Sequence, residues 1–129
     1  MIMLCRSEER ADTAIKWITD NALGDCNGAL IFEQCDLSSM ESVKKCADRL
    51  LNTLDKIDIL VNNAGILWDW GRKVTEDGFE LTFATNHLGH FLLTDLVVPL
   101  LKKSVESGFT PRYESCEESC CIVKLITMI

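Results

Sequence analysis

Three short stretches of the sequence carry side chains suited to holding a nucleotide. Each follows a short apolar run: Met1 to Cys5 ends at Arg6, residues 29–32 lead through Cys35 to Asp36-Leu37, and residues 57–61 break at Asn62-Asn63-Ala64-Gly65. A guanidinium pairs with phosphate oxygens through a planar fork of donors. At the end of a strand in a dinucleotide-binding sheet, an acid binds the ribose 2′-hydroxyl of NAD, whereas an Arg accommodates the 2′-phosphate of NADP. Arg6 therefore favours NADP. Asp36 can accept from an adenine amino group while Leu37 packs on the ring. The small residues of Asn62-Asn63-Ala64-Gly65 let backbone approach a ligand, and Asn side chains fix turns. Each stretch also has an ordinary explanation: a surface Arg, a helix-entry Asp, an Asn-rich turn. Three such groups at three successive strand ends form a more specific pattern than any one of them.

The elements that must position these groups are legible in the pattern. The run from Met1 to Cys5 reads as a buried parallel strand. Ser7 caps a predicted helix from Glu8 to about Asn21, with apolar positions at Ala11, Ala14, Ile15 and Ile18 and a closing Gly24. A second strand begins at Ala29 and ends near Cys35. Ser38 with Glu41 three residues on reads as a capping box. The helix it opens runs to about Leu54, with Val43, Cys46, Ala47, Leu50 and Leu51 on one face. A third strand spans 57–61. A loop with Trp68 and Trp70 follows, and then a long helix over 76–103, in which Phe79, Phe83, His87, His90, Phe91 and Leu93 lie near one face and Asn86 and Gly89 weaken the middle. Strands alternating with helices of this length give βαβ units and a parallel sheet. The expected fold is α/β, a partial Rossmann-like doubly wound parallel sheet of three strands and three helices. Residues 122–129, apolar and β-prone, supply a C-terminal strand.

Composition narrows the function classes. The chain has 129 residues, enough for one domain, with 13 Lys and Arg against 20 Asp and Glu and a net charge of -7. An acidic chain without a basic cluster is a poor nucleic-acid binder. Its apolar runs fall well short of the roughly 20 residues a spanning helix needs. The N-terminus meets charge at Arg6, too soon for a signal peptide. A cytoplasmic protein is expected, its 7 cysteines reduced thiols rather than a disulfide frame. His87 and His90 read as packing residues, and Cys116, Cys120 and Cys121 lack a second Cys/His pair, so no metal site is expected.

The quoted stretches, together with Thr75-Glu76-Asp77-Gly78-Phe79-Glu80 and Asn86-His87-Leu88-Gly89-His90-Phe91, resemble a short-chain dehydrogenase/reductase of the retinol-dehydrogenase-like and WW-domain-oxidoreductase-like branch. The resemblance runs from Met1 to Arg112. It implies that Arg6 holds the NADP 2′-phosphate, that Asp36 and Leu37 contact the adenine, and that Asn62, Asn63, Ala64 and Gly65 shape the cofactor cleft. It assigns Asn86 to the proton relay of catalysis. The implied reaction is hydride transfer between NADP(H) and a small lipophilic alcohol or carbonyl such as a retinoid or steroid. The implied partner surface is the helix over 76–103, through which family members dimerise.

The sequence also departs from that family. Nothing matches its Thr-Gly-x-x-x-Gly-x-Gly turn, which cradles pyrophosphate at a helix N-terminus. After Arg112 the pattern gives way to Tyr113-Glu114-Ser115-Cys116, where an apolar strand leading to a catalytic Ser is expected. Tyr113 is the chain's 1 tyrosine, and Glu117 stands where a Tyr-x-x-x-Lys pair requires Lys. Ser115 and Ser119 are weak substitutes, since nothing in the sequence sets them at a strand end. These departures imply a domain truncated at both ends: a partial NADP-binding unit over 1–112 and a divergent tail over 113–129. Such a chain is expected to be a fragment without appreciable turnover, or a dimerisation or regulatory partner. The segment 122–129 is expected beside the strand at 57–61, in the slot that the family's fifth strand fills.

Overall fold

A computed structural model describes residues 1–21, 28–67, 71–110, 112–115 and 127–128. The elements are β1 (Ile2–Cys5), α1 (Glu8–Asn21), β2 (Ile31–Gln34), α2 (Met40–Thr53), β3 (Ile59–Asn62), α3 (Leu81–Phe83), a π-helical turn (Ala84–Leu88), α4 (Gly89–Glu106), β4 (Arg112–Ser115) and β5 (Thr127–Met128). The strands form one sheet in the order β2-β1-β5-β3-β4. β1 pairs with β2, and β3 with β4, in parallel; β5 runs antiparallel to both β1 and β3. The fold is thus a partial α/β Rossmann fold, as its sequence pattern implies. Gly24, Trp68, Trp70, Cys116, Ser119, Cys120, Cys121 and most of 122–129 lie outside the described residues.

α2 shows how local chemistry and burial agree. Its N-cap is Ser39 rather than Ser38: with φ −122° and ψ 113°, Ser39 accepts the Ser42 N–H at 3.3 Å on its Oγ. Two adjacent serines leave the register of a capping box open by one residue. Ser38 instead turns back on Asp36, donating its N–H and Oγ–H to Oδ1 at 2.9 and 2.6 Å. The face that α2 buries is Val43, Cys46, Ala47 and Leu50. It meets Leu93, Val97 and Leu100 of α4 and Leu4 and Leu60 of the sheet in one core. Each large aliphatic side chain buried there contributes about 1.5–3 kcal/mol.

The long helix does not begin at Glu76. Residues 73–81 form a tight reversal in which Val74 bridges Glu80, the Thr75 N–H donates to the Phe79 carbonyl at 2.8 Å, and the Leu81 N–H donates to the Lys73 carbonyl at 2.9 Å. Gly78 takes φ 83°, a conformation incompatible with helix. The acids at 76, 77 and 80 that look like a helix start serve turn and cap. Glu80 is the N-cap, accepting from the N–H groups of Thr82 at 2.9 Å and Phe83 at 2.8 Å. Those bonds, made to the ionised carboxylate, hold its pKa below the ordinary value. α4 runs to Glu106 and ends in a Schellman motif. There the Gly108 N–H reaches the Val105 carbonyl at 2.9 Å and the Phe109 N–H reaches the Ser104 carbonyl at 3.1 Å, with Gly108 at φ 85°.

The C-terminal strands correct a second expectation. The slot on the outer side of β3 is taken by Arg112–Ser115, which pairs in register from Ile59↔Arg112 to Asn62↔Ser115. Thr127–Met128 pairs on the other side of β3, between it and β1, through Met3↔Met128, Leu4↔Thr127 and Val61↔Met128. That position gives partners to backbone groups that β1 and β3 present to each other, which are costly to bury unpaired.

Candidate functional site

β1, β2, β3 and β4 all run the same way, so their carboxyl ends open on one edge of the sheet. Cys5-Arg6 and Cys35-Asp36 adjoin there, because the Cys35 N–H donates to the Cys5 carbonyl at 3.0 Å. Arg6 is exposed, and no hydrogen bond or ion pair engages it among the described residues. Asp36 is half-buried. Its Oδ1 is committed to Ser38, and its backbone N–H donates to Ser42 Oγ at 2.9 Å. Oδ2 points to no partner among the described residues. Asp36, Ser38, Ser39, Val74, Thr75, Glu76 and Leu81 line a cavity of about 280 Å³. Asp77 accepts the Met40 N–H at 2.9 Å on Oδ2, which places a carboxylate at the N-terminus of α2.

Leu37 is buried against α4. A Cβ on Gly89 would lie 2.3 Å from the Leu37 carbonyl oxygen, so helix and loop touch backbone to backbone. Cys35 and Cys46 lie in the same core beneath Asp36. The hydrogen bond between the two thiols, then burial, drives Cys35 up, while the same bond lowers Cys46.

The 62–65 segment is held by α4 and the π-helical turn before it. Asn62 is buried and donates from Nδ2 to Thr94 Oγ1 at 2.9 Å. Asn63, Ala64 and Gly65 are half-buried, with Ala64 packed on the core. The Asn86 amide clamps the next residue from both sides: Oδ1 accepts the Ile66 N–H at 2.8 Å and Nδ2 donates to the Ile66 carbonyl at 2.9 Å. Asn86 sits in the π-helical turn, where the Gly89 N–H reaches back five residues to the Ala84 carbonyl. Such turns inside α-helices are frequent at functional sites.

Two histidines flank this turn. His87 stacks between Phe83 and Phe91, at centroid distances of 5.2 and 6.5 Å. His90 is buried, with Nδ1 3.2 Å from the Asn86 carbonyl. Desolvation holds its pKa below the ordinary value. Among the described residues no group of three metal-binding side chains converges. No helix among them is long and apolar enough to cross a membrane. Ser115 is the last residue of β4, opposite Asn62, so its backbone does stand at a strand end on the cleft edge.

The structure brings Arg6 and Asp36 together, joins Asn86 to the 62–66 loop, and buries Leu37. Sequence reasoning missed Thr94, the contact of Asp77 with α2, the close approach of Gly89 to Leu37 and the polar role of His90. Thr94 stands four residues after His90 and eight after Asn86, a helical spacing that could have drawn attention to it.

A sheet that opens the carboxyl ends of its parallel strands on one edge is the arrangement of a partial α/β Rossmann fold, the class in which ligands bind at that edge. The short chain dehydrogenase profile matches residues 1–108, and the chain belongs to that family. It is similar to human retinol dehydrogenase 13, with 39% identity over 83% of this chain and 31% of that protein. Among solved structures it resembles the Pseudomonas aeruginosa RhlG/NADP complex, with TM-score 0.61 and 28% identity over 80% of this chain and 38% of that one. It also resembles 3-ketoacyl-(acyl-carrier-protein) reductase from Brucella melitensis complexed with NADH, with TM-score 0.64 and 25% identity over 88% of this chain and 45% of that one. The chain therefore spans about a third of the curated relative's length.

Proposed function

We propose that this chain is the adenosine-binding part of a short-chain dehydrogenase/reductase that uses NADP(H) on a small lipophilic alcohol or carbonyl. Residues 1–112 form the nucleotide-binding unit and 113–129 a divergent tail. The observation that carries the reading is the shared carboxyl edge on which exposed Arg6 and the half-committed Asp36 carboxylate adjoin. Arg6 would pair with the 2′-phosphate. Asp36 Oδ2 would accept from the adenine amino group, its carboxylate already oriented by Ser38. The Leu37 side chain is committed to the core instead of the nucleotide, and the clamped 62–66 loop would fix the floor of the cleft. The dinucleotide, when bound, supplies the hydride of the family's reaction. Turnover is not expected of this chain, because Tyr113 lacks a lysine four residues on.

NADPH and NADH titration of the purified chain, followed by nucleotide fluorescence, tests the reading. Arg6→Ala should weaken NADPH by about tenfold or more, the scale of a charge-assisted contact, and leave NADH within about twofold. Equal losses for both nucleotides would refute the assignment. The same preparation, given NADPH and all-trans-retinal, should leave NADPH absorbance flat.

A second reading is favoured by one observation. Phe83, His87 and Phe91 stack in a stripe, with Phe83 53% and Phe91 67% exposed. Exposed apolar patches of this kind mark interaction surfaces. Pairing of this chain with itself or with a complete relative through the 76–103 segment would cover it. Phe91→Glu should then shift sedimentation toward monomer at unchanged helicity; an unaltered oligomeric state would count against pairing.

A further inference from the structure

A chain of hydrogen bonds runs along one side of α4 and the turn before it. Asn62, at the end of β3, donates to Thr94 Oγ1 at 2.9 Å, and Thr94 Oγ1 donates to the His90 carbonyl at 2.8 Å. The His90 ring meets the Asn86 carbonyl through Nδ1 at 3.2 Å. Asn86 in turn clamps Ile66 through both atoms of its amide. The two ends of the loop, Asn62 and Ile66, are therefore tied to the same helix, and His90 is the link between the ties. A carbonyl can only accept, so Nδ1 carries the proton and Nε2 is a bare lone pair in the neutral ring. Nε2 is buried and meets no hydrogen-bond partner among the described residues. A buried polar atom left without a partner costs about 1–3 kcal/mol. An aliphatic side chain would fill the same space without that cost, so space-filling alone does not account for an imidazole here.

We propose that His90 is a positioning residue for the cofactor loop: its Nδ1–H holds the carbonyl of the π-helical turn that carries Asn86, and so sets the Asn86 amide at the height where it clamps Ile66. The inference rests on the reading of 62–66 as the floor of the nucleotide cleft only for its functional consequence. The geometry of the clamp stands without any ligand.

Substitutions that separate the donor from the bulk test it. An Asn side chain can place its amide N–H near the position of imidazole Nδ1, whereas Leu fills the space and offers no donor. Backbone amide exchange at Ile66 is read by NMR against Leu60, a β3 amide remote from the clamp. His90→Leu should speed exchange at Ile66 by tenfold or more relative to Leu60, and His90→Asn should restore it to within about threefold of the wild-type chain. Equal exchange in His90→Leu and wild type, or equally fast exchange in both variants, overturns the proposal. Where His90→Leu fails to fold, the ring nitrogen spectrum of the wild-type chain decides: a neutral ring protonated at Nδ1 supports the proposal, and one protonated at Nε2 overturns it. NADPH titration of the same samples reports separately on the nucleotide. A wild-type chain that binds no NADPH overturns the cofactor reading and leaves the exchange result intact.

Discussion

Replacing Gly89 by Ala inverts the usual effect of that change in a helix. Ala in place of a helical Gly stabilises by about 0.5–1 kcal/mol, because it removes conformational freedom from the unfolded chain. At position 89 the added Cβ would stand 2.3 Å from the Leu37 carbonyl oxygen, 2.9 Å from Leu37 Cβ and 3.0 Å from Leu37 C. Ordinary contact begins at 3.4 Å, so helix and loop must part by about 1 Å. The nearest atoms belong to backbone and to a buried side chain, and no flexible tip can swing aside. Val43, Leu93 and Val97 are fully buried in the same core and would be dragged with them. Overpacking of this kind costs about 1–3 kcal/mol. Subtracting the helix gain leaves a net loss of about 0–2.5 kcal/mol, and the backbone-to-backbone approach at 2.3 Å puts Gly89 in the upper part of that range, about 1–2 kcal/mol. Urea unfolding followed by circular dichroism reads it directly: with a slope of about 2 kcal/mol/M, the midpoint should fall by about 0.5–1 M. A Gly89→Ala chain as stable as the original, or more stable, would refute the argument that α4 and the Leu37 backbone are in contact.

Two further outcomes follow from the same geometry. Asp77→Ala should remove the carboxylate from the N-terminus of α2 and destabilise the chain by about 0.5–1 kcal/mol, with faster amide exchange at Met40 than at Leu50; unchanged exchange at Met40 would count against the Asp77 contact. Acid should weaken the fold through His90. Its pKa is depressed in the folded state, so between that value and the unfolded value of about 6.5 the unfolded chain binds more protons. Stability is then complete above about pH 6.5 and declines as pH falls toward the folded pKa, by at most about 1.4 kcal/mol per pH unit. His90→Asn should flatten that part of the urea-midpoint profile, and an identical profile in the variant would exclude His90 as the cause.

The elements most legible in the sequence are those set by local signals. β1 stops at Arg6 because the apolar run stops there, and α2 shows its buried face as Val43, Cys46, Ala47 and Leu50. The candidate site residues carry a local signal of the same kind. Arg6, Asp36 and Asn62 each mark the place where an apolar run meets a polar side chain. Errors arose where a signal was ambiguous or where contacts were distant in the chain. Ser38 and Ser39 are chemically equivalent caps, and tertiary contacts with Asp36 chose between them. Glu76, Asp77 and Glu80 resemble the acidic first turn of a helix until Gly78 takes a positive φ. The bond from Met40 to Asp77 spans 37 residues, and no spacing rule announces it. The positions of β4 and β5 depend on which strand edges are left open, a property of the assembled sheet and not of residues 112–128 alone.

What unites the site is one side of one helix and the turn before it. Asn86 reaches the end of the β3 loop, Gly89 meets the β2 loop at Leu37, His90 steadies the turn between them, and Thr94 receives Asn62. Positions 86, 89, 90 and 94 follow the three- and four-residue spacing that places side chains on one face, shifted by the π-helical turn at its start. The distance between the Asp36 and Asn62 strand ends is therefore set by a rigid rod in contact with both, in addition to the sheet that joins them. A small residue at 89 brings the rod close, and polar residues at 86 and 94 hold it in register. A cleft built in this way keeps its width when the loops around it vary, because the groups that fix the width lie on the helix. Substitutions at 86, 89 and 94 should accordingly alter nucleotide affinity without touching the nucleotide, whereas substitutions at Arg6 should alter the choice between nucleotides and leave the fold unchanged.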